Sequence, residues 1–277
     1  MTTPTHSARR ACLQSASGLA LGLTLGPALL WPTGAHAQIT QINEAINKAG
    51  RQRMLSQRMA KAWLAIGQGV DVAKAERILG DSMALFDRQL VELKAYAPTP
   101  DVRQTYQRLE AEWSRYKEAL VGTAPRQSAS AALLAQDARV LALAHQGTMQ
   151  LEQVSGRPVG KLVNTAGRQR MLSQRSAKFY LSLSWSTGEE AQQRQELDKA
   201  RREFAQALDV LQQAPEATEA IRDEIAIARQ QWVFFDNALT RMGQNGRSVQ
   251  HATEVLRSSE NILQSMDRVT GLYARLS

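Results

Sequence analysis

The sequence is poor in cysteine, in aromatic residues and in long apolar runs. Cys12 is the only cysteine, and Phe, Trp and Tyr together make up 5% of the 277 residues. Beyond position 12 a disulfide framework, a catalytic thiol and a cysteine-ligated metal are therefore excluded. After residue 37 no apolar run approaches the roughly 20 residues that a membrane-spanning helix needs. The stability of the folded part must come from a buried core, which a chain of this length is able to form.

Catalytic motifs and clustered metal ligands are also missing. The chain contains no G-x-S-x-G, no H-E-x-x-H and no phosphate-binding loop. His145 and His251 stand alone in predicted helices, which indicates structural or exposed roles rather than metal binding. Glu189 and Glu190 fit the start of a helix better than a catalytic pair. We therefore expect a protein that is not an enzyme and that needs no metal and no cofactor.

Residues 1–37 are typical of a signal peptide that is removed on export. Arg9 and Arg10 precede an apolar stretch over residues 15–31, and Ala-His-Ala at 35–37 fits a cleavage site. The arginine pair also fits a twin-arginine signal, so the twin-arginine and general secretory routes both stay open. An uncleaved membrane anchor is the alternative, which the glycine and proline content of the stretch disfavours. The prediction is a periplasmic protein.

Positive charge is in modest excess, with 34 Lys and Arg residues against 26 Asp and Glu and a formal net charge of +8. No basic run with interleaved aromatic residues occurs, and together with the predicted export this argues against nucleic acid as a partner. The excess fits anionic small ligands or lipid headgroups better.

Beyond residue 38 the composition favours helices almost throughout, with proline and glycine residues at the breaks. Four helices joined by short connections predict an up-down-up-down bundle, and the pattern occurs twice. We therefore predict an all-α fold of two tandem four-helix bundles, over residues 38–156 and 157–277. The predicted helices cover residues 39–67, 71–96, 101–122, 131–155, 159–187, 189–213, 216–242 and 248–276.

A ten-residue segment, Ala-Gly-Arg-Gln-Arg-Met-Leu-Ser-Gln-Arg, occurs at 49–58 and again at 166–175. With two differences the agreement extends over 47–61 and 164–178. The offset of 117 residues suits a duplicated domain rather than a solenoid repeat. The duplication kept this segment while the rest diverged, so the function is expected there. Three correspondences outside the segment support the alignment: Trp113 with Trp232, Val140 with Val255, and Val154 with Val269.

Each copy of the segment forms a helix with two apolar faces. Arg53 lies in the middle of the second face, and Arg170 holds the corresponding position in the other copy. A helix with two apolar faces packs on two sides, so we expect the two copies to pack against each other in parallel, with Arg53 facing Arg170. The short link at 156–159 permits this pairing within one chain, and pairing between two chains is the alternative.

Two guanidinium groups that face each other repel by about 3 kcal/mol at ~5 Å and an effective dielectric constant of ~20. A planar oxyanion between Arg53 and Arg170 would replace this repulsion by charge-assisted hydrogen bonds. Gly50 and Gly167 would allow the close approach of the helices. The alternative for each arginine is an ordinary ion pair or a solvated position. The predicted neutral donors are Asn47, Asn164, Ser56 and Ser173. The predicted surface or supporting residues are Arg51, Arg58, Arg168 and Arg175.

The repeated segment, Asn-x-Ala-Gly-Arg-Gln-Arg-Met-Leu-Ser-Gln-Arg, resembles the motif of the PilJ/NarX-like sensor domain family, the P-box of nitrate- and nitrite-sensing histidine kinases. The resemblance implies periplasmic four-helix bundles that bind the anion at a dimer interface, through the arginine before the methionine. Here these residues are Arg53 and Arg170. The nitrate sensors have Leu-Arg-Met-Gln-Ser-Tyr-Arg where this chain has Gln-Arg-Met-Leu-Ser-Gln-Arg, which is closer to the pilus-chemotaxis branch.

These observations together predict an exported, soluble sensor that binds a small oxyanion, with nitrate or nitrite as the first expectation. No transmembrane helix or signalling domain follows residue 276, so the signal is expected to pass through a membrane-bound sensor, a transporter, or a type IV pilus or chemotaxis component. The alternative is a non-catalytic interaction module that docks such a component without a small ligand.

Overall fold

The computed structural model describes residues 39–122, 124–241 and 248–276. The predicted signal peptide at 1–37, and the predicted loop at 243–246, lie outside the described residues. The described part forms eight α-helices, which confirms the predicted all-α class of two four-helix bundles. The helices are α1 Ile42–Gly67, α2 Val72–Tyr96, α3 Pro100–Val121, α4 Gln127–Ser155, α5 Pro158–Ser184, α6 Glu190–Gln213, α7 Glu219–Thr240 and α8 Val249–Ala274.

Hydroxyl groups cap the first turns of three helices. The side chains of Thr99, Thr218 and Ser248 accept hydrogen bonds from the backbone N–H groups at the starts of α3, α7 and α8. A capped N–H needs no carbonyl partner, so the cap fixes where the helix begins. This explains why α7 begins at Glu219, three residues after the predicted start. None of the described helices is both long and apolar enough to cross a bilayer.

Each copy of the repeat closes into its own four-helix ring, and the rings meet through α1 and α5. α1 packs against α2 and α4, α5 packs against α6 and α8, and α1 and α5 pack against each other. The two helices run in parallel, because Arg53 bonds Asn164 while Lys61, further along α1, bonds Gln174, further along α5. The two bundles form one compact unit. The connection between them turns at Gly156, whose φ of 59° suits glycine.

The two bundle cores repeat the same aromatic arrangement. Phe86 stacks on Trp113 at 4.2 Å between ring centroids, and Phe204 stacks on Trp232 at 4.1 Å. Such stacked aromatic pairs stabilise a core beyond the area that they bury. The correspondence of Trp113 with Trp232 thus extends from sequence to packing, and each bundle holds its motif helix against a core of the same design.

Candidate functional site

Gly50 of α1 and Gly167 of α5 lie opposite each other in the seam between the two helices, beside the guanidinium groups of Arg53 and Arg170. A Cβ atom on Gly50 would stand 3.8 Å from the Cα of Gly167. The same Cβ would stand 3.2 Å from Nη2 of Arg53 and 3.5 Å from Nη2 of Arg170. Both guanidinium groups therefore reach the middle of the α1–α5 seam, at the point where neither helix carries a side chain.

This close approach makes a testable prediction about Gly50. Replacing Gly50 by leucine should lower the free energy of unfolding by about 1–3 kcal/mol, because the new side chain must displace the arginines or separate the helices. Gly80 is the matched control, since it is exposed within α2 and has open space around its missing side chain. Gly80→Leu should be neutral or slightly stabilising through helix propensity. Equal effects of the two substitutions in chemical denaturation would contradict the close approach.

Arg53 is a fully buried cation without a carboxylate partner among the described residues. Its Nη2 donates to Oδ1 of Asn164 at 2.6 Å and to the Asn164 carbonyl at 3.4 Å, and its Nη1 lies 3.3 Å from Nδ1 of His145. Its Nε has no partner there. Burial lowers the pKa of Arg53 to about 9, with the positive charges of Arg168 and Arg170 acting in the same direction. The charge of Arg53 is thus desolvated and poorly compensated.

Arg170 is equally buried but is neutralised. Its Nη1 donates to Asp267 on α8 at 2.5 Å, and its Nη2 donates to the Asn47 carbonyl at 3.0 Å. Burial and the nearby charge of Arg51 lower its pKa to about 10 against the attraction of Asp267. Asp267 also accepts from Arg51 at 2.7 Å. The two motif arginines, identical in sequence context, therefore have different electrostatic environments.

The contacts of one side chain, that of Asn164, distinguish the two environments. In the alignment that pairs Val154 with Val269, Glu152 corresponds to Asp267. The amide of Asn164 donates to the Glu152 carboxylate, while its Oδ1 accepts from Arg53. Asn164 is thus inserted between the arginine and the acid that would otherwise neutralise it.

The other predicted donors make contacts of two kinds. Asn47 meets Arg170 through its backbone carbonyl, and its side-chain Oδ1 has no partner among the described residues. The hydroxyls of Ser56 and Ser173 donate to the carbonyl oxygens of Arg53 and Arg170, at 3.0 and 2.9 Å. The structure thus brings the two asparagines to the guanidinium groups, whereas the serine hydroxyls are turned to the backbone of their own helices.

The four flanking arginines form partly buried ion pairs with neighbouring helices, which agrees with their position off both apolar faces. They tie the edge of α1 to α8 and the edge of α5 to α6. The pairs are Arg51 with Asp267, Arg58 with Glu260, Arg168 with Glu203, and Arg175 with Glu196.

Two buried lysines of the repeated segment were not predicted to matter. Nζ of Lys61 donates to Gln174 at 2.6 Å, to Ser259 at 2.9 Å and to Glu260 at 2.6 Å. Lys178 donates to the fully buried Asp137 at 2.7 Å. Their presence in both copies of the segment was the signal in the sequence, but the partner acids lie outside the segment and differ between the copies.

A cavity of about 330 Å³ opens beside Arg53, between α4, α5 and α6. Arg53 lines it together with His145, Arg168, Arg175 and Lys199, while Arg170 does not. Burial lowers the pKa of His145, and the charges of Arg53 and Arg168 lower it further, so the imidazole is neutral near pH 7. The sequence did not predict this cavity, because its walls come from side chains of separate helices that only the packing brings together.

The fold is a pair of four-helix bundles with charged groups buried where they meet. Residues 35–146 and 155–270 each match the PilJ family, described as "Type IV pili methyl-accepting chemotaxis transducer N-term". The two matches cover most of the chain, and the chain therefore belongs to this family, in two tandem copies. The family is non-catalytic, and its domains usually form the periplasmic part of membrane transducers. No curated protein and no solved structure matches the chain.

Proposed function

We propose that this chain is a periplasmic sensor domain that binds a small oxyanion between Arg53 and Arg170. Nitrate or nitrite is the first expected ligand, through the resemblance of the repeated segment to the P-box of nitrate sensors. The observation that carries the proposal is the buried Arg53, which has no carboxylate partner among the described residues. A buried charge is stable only when it is paired, so an anion that reaches Arg53 gains a strong interaction.

The geometry of the seam suits a planar anion. The Nη2 atoms of both arginines lie within 3.5 Å of one point beside Gly50, and the Nε atoms of both lack a partner among the described residues. A guanidinium group donates in its own plane and matches the oxygens of a planar oxyanion. An anion between Arg53 and Arg170 would satisfy unpaired donors and cancel the repulsion between the two groups.

The packing of α1 and α5 offers a route for the signal. An anion inserted between them changes their separation, and α1 packs on α2 and α4 while α5 packs on α6 and α8. A shift at the seam therefore reaches both bundles, where a partner that prefers one arrangement would sense it. We propose a membrane-bound sensor, a transporter, or a pilus or chemotaxis component as that partner, reached after export of the chain.

A second function is favoured by the bonds that already cross the seam. Arg53 and Arg170 each donate to a backbone carbonyl of the opposite helix, that of Asn164 and that of Asn47. Both arginines fasten the bundles in this way without an anion. A non-catalytic interaction module, which docks a receptor or pilus component without a small ligand, would use them for this purpose alone.

Thermal unfolding in the presence of nitrate, nitrite, sulfate and chloride at constant ionic strength separates the two functions. An anion that binds only the folded state adds about 2.7 kcal/mol of stability at a hundredfold excess over its dissociation constant. We expect a saturable shift with a planar anion that is lost in both Arg53→Met and Arg170→Met. Arg201→Met is the control, because Arg201 pairs with Asp236 between α6 and α7 of the second bundle, outside the α1–α5 seam. No shift with any of the four anions would favour the interaction module.

A further inference from the structure

We propose that the cavity between α4, α5 and α6 is a second ligand site, which takes a small organic carboxylate with an apolar body. This site goes beyond the proposed function, because its ligand would meet Arg53 from the cavity rather than in the seam between Arg53 and Arg170. It shares Arg53 with the seam, so the two sites must be separated by variants that change only one of them.

The polar end of the cavity is built to meet an anion. Arg53 is fully buried, has no acidic partner among the described residues, and presents its Nη1 beside Nδ1 of His145 at 3.3 Å. Arg168 lines the same wall. The charged walls as a whole hold more cations than anions: Arg53, Arg168, Arg175 and Lys199 against Glu196 and Glu203. A carboxylate at this end would neutralise Arg53 through charge-assisted hydrogen bonds.

The lining also includes a group of apolar side chains. Leu141 of α4 and Met171 and Leu172 of α5 form its sides, and alanines of α4 and α6 leave the space between them open. Its volume of about 330 Å³ lies at the lower end of the range for small-molecule sites. One water molecule takes up only about 30 Å³ in the liquid, so an inorganic anion of a few atoms would leave most of this space unfilled. The combination selects a ligand with one anionic end and an apolar body.

The corresponding place in the other half of the molecule is taken by a carboxylate of the protein itself. There α8 supplies Glu260, whose carboxylate accepts from Nε of Arg58 at 3.1 Å and from Nζ of Lys61 at 2.6 Å. In the alignment that pairs Val140 with Val255, the position of Glu260 on α4 is held by His145. The same arrangement of helices thus accommodates a carboxylate in one half, and in the other half it leaves a cavity that an external carboxylate fits.

Isothermal titration calorimetry of the purified protein with benzoate and with hexanoate tests the proposal. Benzamide is the neutral control, because it keeps the apolar ring and lacks the charge. Ala142→Trp should block the cavity from an exposed position of α4, and Ala135→Trp is the matched control, at an exposed position of α4 that does not line it. Circular dichroism of each variant establishes that it is folded.

We expect saturable binding of at least one of the two carboxylates and none of benzamide. Affinity should fall about tenfold or more in Ala142→Trp and in Arg53→Met, and should stay within about twofold in Ala135→Trp and Arg170→Met. Failure of both carboxylates to bind, or unchanged affinity in Ala142→Trp, would overturn the cavity site. Neither result bears on anion binding in the seam, because the nitrate response there depends on Arg170. Absence of a nitrate response would likewise leave the prediction of carboxylate binding unchanged.

Discussion

Replacing Glu260 by glutamine is expected to lower the free energy of unfolding by about 3–5 kcal/mol, the usual effect of removing one partner of a buried ion pair. Glu260 on α8 joins Arg58 and the fully buried Lys61 of α1, and so connects the two bundles. Without its charge, Lys61 has only neutral oxygens as partners, among them those of Gln174 and Ser259. Urea denaturation of the variant and of the wild-type protein measures the difference.

An exposed ion pair provides the control for this substitution. Lys94 and Glu110 pair at the surface of the first bundle, with 32% and 48% of their side chains exposed. Glu110→Gln should change the free energy of unfolding by less than about 1 kcal/mol, because solvent screens such pairs. If Glu260→Gln has an equally small effect, the charge of Lys61 is compensated by some other route and the assigned role of Glu260 is wrong.

The pH dependence of stability gives an independent measure of the same group. Burial raises the pKa of Glu260, but attraction to Lys61 and the hydrogen bonds and charge of Arg58 overcome it and hold the pKa at about 2. The folded-state pKa is lower than the unfolded one, near 4.5, so the stabilisation is present above pH 4.5 and is lost as the pH falls towards 2. The loss should amount to about 3 kcal/mol, and Glu260→Gln should lack this part of the acid dependence.

Replacing Arg53 by methionine is expected to have the opposite sign and to raise the free energy of unfolding by about 1–4 kcal/mol in the absence of ligand, as apolar replacements of buried charged groups often do. Arg53 is fully buried without an acidic partner among the described residues, and its charge lies near those of Arg168 and Arg170. A methionine of similar length would remove the desolvated charge and keep the seam filled. If Arg53 serves to bind an anion, its replacement should raise the stability of the ligand-free protein and abolish its response to the anion.

Arg170→Met is the matched comparison, at the same position of the same ten-residue segment. Its removal leaves Asp267 half-exposed and still paired with Arg51, so we expect a change of less than about 1 kcal/mol. Chemical denaturation of both variants, without added anions other than buffer, makes the comparison. If Arg53→Met is destabilised instead, the hydrogen bonds of Arg53 to Asn164 and His145 contribute more to stability than its desolvation costs. The interaction module, in which Arg53 only holds the two bundles together, is then the better account.

The secondary structure and the repeat could be predicted because they depend on local patterns. Prolines and glycines mark the breaks between helices, and the duplication is written directly in residues 49–58 and 166–175. The largest error in a helix start, at α4, arose because the polar residues after Pro125 were assigned to a loop, whereas the helix begins at Gln127. Helix ends depend on a few backbone hydrogen bonds, which periodicity does not report.

The central pair of arginines was also within reach of the sequence, because a cation in the middle of an apolar face must be buried when that face packs. The partners of these arginines were not. Arg170 meets Asp267 97 residues further along the chain, and Arg53 meets Asn164 111 residues further along, where Asn164 in turn bonds Glu152. Such contacts depend on differences of a few ångströms in helix packing, and they cannot be read from two segments of identical sequence.

The sequence by itself determined the all-α class, the duplication, the PilJ-type segment and the two arginines that meet in the seam. All of these follow from the periodicity, composition or identity of neighbouring residues. Only the tertiary structure decided that the two copies are electrostatically unequal, with Arg170 neutralised, Arg53 left without an acid among the described residues, and a cavity open beside it. The physical reason is that charge compensation acts through space over a few ångströms, so it depends on which side chains the packed helices bring together.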